Sequence, residues 1–210
     1  MGVMRGMLSE LEQLQQTDIK RRVDLKLREF KEMNNQGNKE WFTELCFCLL
    51  TANTSAEMGL KMQQALGYEG FTSNKNEQAL ARRLNKERCR FYNRRAHFIF
   101  LANQFKDIKD ILLQQEDKRG WLAEHIKGMS YKEASHFLRN IGFFEHAILD
   151  KHVVHLMQEH GLVKNIPKTM TPKHYLVLEQ KLEKVALAAG MPQGELDLYL
   201  WYMKTGKILK

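Results

Sequence analysis

Ile126-Lys127-Gly128-Met129-Ser130-Tyr131-Lys132-Glu133-Ala134-Ser135-His136-Phe137-Leu138-Arg139-Asn140 is the stretch on which the fold turns. Ser130 followed three residues later by Glu133 has the form of a capping box. Ala134, Phe137, Leu138 and Ile141 then recur at helical spacing, so a helix is predicted to begin just after Ser130. A glycine-containing hairpin precedes it, and a further helical pattern covers 118–126. Lys132 falls at the second position of the new helix, where unsatisfied backbone amides disfavour a nearby cation by ~0.3–1 kcal/mol. That makes Lys132 a candidate reactive amine, provided that desolvation supplies the larger part of the effect. A solvated lysine on an ordinary capped helix is the plainer alternative.

The chain has 210 residues, 43% of them hydrophobic and 10% aromatic, enough for a real core in one large or two small domains. Its 33 Lys and Arg exceed its 25 Asp and Glu, and the pI near 9.3 favours a polyanionic partner. The apolar run Leu45–Ala52 is far short of the ~20 residues of a membrane span, and the N-terminus lacks a signal-peptide core, so a cytoplasmic protein without a membrane partner is expected. Cys46, Cys48 and Cys89 are too few for a four-cysteine iron–sulfur cluster and lack paired zinc spacing. They read as small core residues, and no metal site is expected.

Helical patterns follow one another with almost no strand signal. Helices are predicted near 17–33, 39–52, 55–66, 75–84, 91–104, 118–126, 131–141, 151–160, 173–189 and 194–205. Ser55 can cap a helix ended by Gly67, Asn74 with Glu77 suggests another capping box, and Thr171-Pro172 is an N-cap followed by proline at the first helical position. Without repeats, low-complexity tracts or long linkers, one all-α unit of 1–210, with two helical lobes, is expected.

A carboxylate follows the lysine helix. Gly142 can end that helix, Phe143-Phe144-Glu145-His146 turns the chain, and Ala147-Ile148-Leu149-Asp150 leads into the next helix, with Asp150 at its N-cap. Capping alone would explain that aspartate. If the two helices bring their N-termini together, lysine and carboxylate face one site. A neutral amine there can attack a sugar carbon while the carboxylate stabilises oxocarbenium-like charge, and the resulting Schiff base permits β-elimination of the sugar-phosphate backbone.

Lys127–Gly142, followed by Ala147-Ile148-Leu149-Asp150-Lys151-His152, resembles the helix-hairpin-helix DNA glycosylase/AP lyases, with the hairpin motif over about 118–141. More narrowly it is similar to the small 8-oxoguanine DNA glycosylase family found mainly in archaea and some bacteria. Glu44-Leu45-Cys46-Phe47-Cys48-Leu49-Leu50-Thr51-Ala52-Asn53 resembles the family's N-terminal helix, and Leu196–Tyr202 with Gly206–Lys210 resembles its tail. The resemblance implies the helix-hairpin-helix glycosylase fold with a cleft between two lobes, Lys132 as Schiff-base nucleophile and Asp150 as the assisting carboxylate. By position it points to Asp197, Trp201 and Lys210 in the pocket for the extruded base, with Phe91 as a stacking surface. Trp201 as a core residue and Lys210 as a frayed end are the plain alternatives.

The implied partner is double-stranded DNA carrying an oxidised base, bound by a monomer associated with the nucleoid. Phosphate contacts are expected from Lys127, Gly128 and Ser130 of the hairpin and from Arg139, Arg94 and Arg95. Lys132, Ser135 and Arg139 would form a polar, DNA-facing side of their helix. The resemblance also places Asn53 as a wedge or contact at the gap left by base flipping, with a helix C-cap as the plain alternative. No cofactor is required, although a monovalent cation could be held by the hairpin backbone. The family usually has glycine at both ends of the tight turn, whereas Ser130 stands at the second; the capping box with Glu133 is expected to preserve the turn. A glycosylase for another oxidised base and a non-catalytic helix-hairpin-helix DNA-binding protein remain the alternatives.

Overall fold

A computed structural model of the chain describes residues 2–52 and 55–210. The described residues are helical, without strands: α1 (Gly2–Gln15), α2 (Asp18–Asn34), α3 (Asn38–Thr51), α4 (Ala56–Thr72), α5 (Glu77–Lys86), α6 (Tyr92–Ala102), a 3-10 turn (Asn103–Phe105), α7 (Ile108–Leu113), α8 (Lys118–His125), α9 (Tyr131–Asn140), α10 (Lys151–Glu159), α11 (Pro172–Ala189) and α12 (Gln193–Thr205). None is long and apolar enough to cross a membrane.

The chain divides into two units, one of Met33–Ile141 and one of the residues up to Glu32 with Gly142–Lys210. In the first, α3 is the central element. Trp41, Phe42, Leu45, Cys46, Phe47, Cys48, Leu49 and Leu50 are all buried, so the helix is covered on every side by α4, α6, α7 and α9. An apolar run with little amphipathicity is what such a core helix requires. All three cysteines are buried, as expected for small core residues. In the second unit α1 packs on α11, and α12 packs on α10 and α11. The guanidinium of Arg22 in α2 lies over the Tyr202 ring of α12 at 5.9 Å.

Several helix starts carry the capping signals. Ser55 accepts the Met58 amide at 3.3 Å, Thr171 accepts that of His174 at 3.2 Å, and Gly67 (φ 57°) breaks α4 before a last stretch to Thr72. The expected cap at Asn74 is displaced by two residues. Asn76 accepts the Ala79 amide at 2.9 Å, while Asn74 donates back to Gly70 O at 2.7 Å and closes α4. Glu77 is thereby the first residue of α5 and binds His97 at 2.9 Å. Two helices went unpredicted. In α1, among the residues whose burial is described, Met7 and Leu11 are the buried ones, one i,i+4 pair, and α7 has six residues anchored by Ile108 and Leu112; both are too sparse to establish a period.

Candidate active site

Local chemistry builds the hairpin. Asp117 caps α8 by accepting the Gly120 amide at 2.8 Å, the Ile126 amide closes the helix onto Leu122 O at 3.0 Å, and the Met129 amide donates to Ile126 O at 3.1 Å. Ile126 and Met129 are buried and pin the turn, whereas Lys127 and Ser130 are exposed. Gly128 has φ 93°, and a Cβ there would lie 2.3 Å from Phe98 Cδ2. Both the dihedral and the ring pressed against the backbone demand glycine. Ser130, by contrast, is extended (φ −102°, ψ 180°). The position where the family usually has glycine therefore places no steric demand for one, and serine is accommodated.

Serine also starts α9. Its amide donates to Glu133 Oε2 at 3.2 Å, and its hydroxyl reaches the same oxygen, so the capping box forms. The other oxygen of Glu133 lies 2.8 Å from Lys132 Nζ. Burial pushes the Glu133 carboxyl up, but the Lys132 charge and the hydrogen bonds from Lys132 and Ser130 outweigh it and hold it below the usual carboxylate range. The lysine side chain keeps 26% of its exposure. Arg119 of α8 secures the start of α9 by lying over the Tyr131 ring at 4.9 Å, with Nη1 donating to Ser135 Oγ at 3.5 Å. A cavity of about 390 Å³ opens beside this end of α9, lined by Leu49, Ala52, Phe91, Arg94, Arg95, Phe98, Gly128, Ser130 and Glu133.

Phe91 is 56% exposed and holds a left-handed conformation before α6, with Arg90 over its ring at 5.3 Å. Arg94 is exposed and lies over Phe98 at 5.3 Å. Two expected DNA contacts are corrected. Arg95 is 3% exposed; its Nη1 donates to Leu50 O and its Nη2 to Ala52 O at 2.6 Å, so it caps the end of α3. Arg139 is 1% exposed and donates from Nε and Nη2 to Asn140 Oδ1 at 3.1 and 2.9 Å. Asn140 in turn donates to Glu44 at 2.7 Å. With Ser135 also buried, the expected polar side of α9 is packed at Ser135 and Arg139 and keeps exposure at Lys132. Asn53 lies outside the described residues.

The remaining candidates belong to the other unit. Half-buried Asp150 accepts the Val153 amide at 2.8 Å and caps α10. The strap before it is fixed from α11: Glu179 accepts the Ala147 amide at 3.0 Å, and the Tyr175 hydroxyl donates to Ala147 O at 2.7 Å while accepting the Leu149 amide at 3.2 Å. His152, two residues after Asp150, stacks on Trp201 with ring centroids 5.5 Å apart. Trp201 and Lys210 are half-buried, and Asp197 is buried. Residue type and spacing assign His152 no role and Glu133 only its cap. The Lys132–Glu133 contact was hidden because consecutive helix residues do not normally face each other. Among the described residues, no three His, Cys, Asp or Glu side chains are grouped to hold a metal.

Residues 23–191 match the Ogg-HhH family, 8-oxoguanine DNA glycosylase. The chain is 42% identical over 207 residues to the 8-oxoguanine DNA glycosylase/AP lyase of Methanocaldococcus jannaschii, covering 97% of this chain and 99% of that one. The crystal structure of the Methanocaldococcus jannaschii 8-oxoguanine glycosylase/lyase in complex with 15mer DNA containing 8-oxoguanine superimposes with a TM-score of 0.94 at 42% identity, over 97% of this chain and 99% of the other. That of the Thermotoga maritima 8-oxoguanine DNA glycosylase gives a TM-score of 0.91 at 40% identity, over 99% of this chain and 100% of the other.

Proposed function

The chain belongs to the 8-oxoguanine DNA glycosylase family, and on that footing we propose that it excises 8-oxoguanine from duplex DNA and then cleaves the strand at the abasic site. Lys132 is the nucleophile in this proposal. Its neutral amine attacks C1′ of the flipped nucleotide, the glycosidic bond breaks with its electrons leaving on the base, and ring opening gives the Schiff base. Loss of a 2′ proton then expels the 3′ phosphate by β-elimination. Asp150 stabilises the oxocarbenium-like charge as the base departs. Asp197, Trp201 and Lys210 contact the extruded base, with Phe91 as a stacking surface, and Lys127, Gly128, Ser130 and Arg94 meet phosphates. The enzyme acts as a monomer, in the cytoplasm with the nucleoid.

The observation that carries the proposal is a half-buried lysine amine at the second residue of the helix leaving a hairpin, in a chain that matches glycosylase/AP lyases over nearly its whole length. No cofactor enters the chemistry. A monovalent cation held by backbone carbonyls of the hairpin would serve only to draw a phosphate in.

Borohydride trapping on duplex DNA containing one 8-oxoguanine tests the assignment. Wild type is expected to form a covalent adduct, and Lys132→Gln to lose adduct, base release and strand cleavage while still binding DNA. Asp150→Asn, which keeps a cap acceptor for Val153, should slow base release severely and leave the fold intact. Normal turnover by Lys132→Gln would overturn the proposal.

A further inference from the structure

Glu133 does more than cap a helix. Residues adjacent on an α-helix point roughly 100° apart and do not face each other, so a solvated Lys132 at the second position would extend away from its neighbour. Instead its ammonium sits 2.8 Å from Glu133 Oε1. The two carboxylate oxygens divide their partners, Oε1 taking the lysine and Oε2 the Ser130 amide and hydroxyl. Glu133 is 8% exposed and lines the cavity beside the hairpin together with Ser130 and Gly128. A buried carboxylate held on both oxygens is a fixed post.

From this geometry we infer that Glu133 is the positioning residue for Lys132, holding its amine beside the start of α9 in the free enzyme and linking it to the hairpin through Ser130. The inference rests on the nucleophilic role proposed for Lys132. An ammonium tied to a carboxylate cannot attack, so the lysine must leave Glu133 and lose a proton before it reacts. A phosphate docking on the hairpin competes for the Ser130 hydroxyl and amide. Occupation of the hairpin by DNA thereby loosens the carboxylate that restrains the lysine. Other charged groups on the packed elements have their own engagements. Arg119 of α8 lies over Tyr131, Glu44 of α3 binds Asn140 at the far end of α9, and across the cavity Arg95 grips the end of α3 while Arg94 covers Phe98.

Glu133→Gln separates the two roles, because an amide oxygen still accepts from Ser130 but carries no charge for the lysine. Single-turnover base release at saturating duplex 8-oxoguanine DNA would be measured for wild type and Glu133→Gln, with DNA binding and thermal melting alongside. The variant should bind DNA within about twofold of wild type, while its rate at saturation should fall about tenfold or more, the scale on which a displaced reacting group slows chemistry, because the amine no longer starts from a held position. A purely structural cap would change melting or binding and leave the saturated rate in place, and an unchanged saturated rate overturns the inference. Borohydride trapping on abasic DNA distinguishes the two failures. Wild-type trapping with an unchanged Glu133→Gln rate sinks only this inference, whereas no wild-type trapping sinks the lysine assignment and the inference with it.

Discussion

Gly128→Ala strikes the hairpin at its tightest point. At φ 93° an alanine carries a backbone cost of ~1–3 kcal/mol. Its Cβ would also stand 2.3 Å from Phe98 Cδ2, where carbon contacts prefer ~3.5–4.0 Å, so the ring or the turn must give by more than about 1 Å. Phe98 is half-buried and carries Arg94 over its face, and overpacking of this kind costs ~1–3 kcal/mol. The sum, about 4 kcal/mol, corresponds to a fall in Tm of roughly 8–16 °C for a chain of this size. Gly67→Ala is the matched control, because Gly67 has φ 57° with nothing within 4 Å of its Cβ site. With ψ −172° it lies in a region that is essentially glycine-only, so its cost is a backbone cost alone, of the same ~1–3 kcal/mol. Circular-dichroism melting of the two variants isolates the Phe98 contact. Displacing the hairpin should also weaken binding of duplex DNA, measured by fluorescence anisotropy, about tenfold or more, the loss of one hydrogen bond to a charged phosphate. A Gly128→Ala variant melting no lower than Gly67→Ala would refute the reasoning.

Exchanges at two neighbouring arginines should have opposite signatures. Arg94→Ala removes an exposed cation and should lower the salt slope of DNA binding by about one with little change in Tm, whereas Arg95→Met leaves the Leu50 and Ala52 carbonyls without their donor, should cost about 3 kcal/mol of stability, and should keep the slope; reversed results would contradict the burial of Arg95. Tyr199 is fully buried and its hydroxyl has no hydrogen-bond partner among the described residues, so Tyr199→Phe should raise Tm, since burying such a group costs ~1–3 kcal/mol. Burial, aided by Glu195 and Asp24, pushes the Tyr199 hydroxyl up to about 12. The folded state thus favours the neutral phenol, and this contribution is complete below pH 10, the ordinary value, and is lost as pH rises through about 12. Tyr199→Phe should flatten the alkaline fall in Tm, and an unaltered fall would count against it.

What was legible in the sequence was local. The Ser130–Glu133 box, the Ser55 and Thr171 caps and the Asp150 cap each depend on a side chain meeting an amide three residues away, and such i,i+3 geometry is written in spacing alone. The same locality places Lys132 at the second residue of α9 and Asp150 at the start of α10. It errs where two candidate caps compete, as at Asn74 and Asn76, and where a helix is anchored by one apolar pair, as in α1 and α7.

Tertiary structure decided which charges are available. Arg95 resembles Arg94 in sequence, yet it is captured by the carbonyls of Leu50 and Ala52, more than forty positions earlier. Arg139 belongs to an apparently polar helix side, but α9 packs on α3 and Asn140 links Arg139 to Glu44. The pairing of Lys132 with Glu133 likewise crosses the usual divergence of adjacent helix residues, at a carboxylate that lines the hairpin cavity. Residue type fixes the charge a side chain can carry. Whether that charge meets water, phosphate or a carbonyl depends on distant backbone brought beside it, because desolvation and hydrogen-bond partners are properties of packing and not of the local chain.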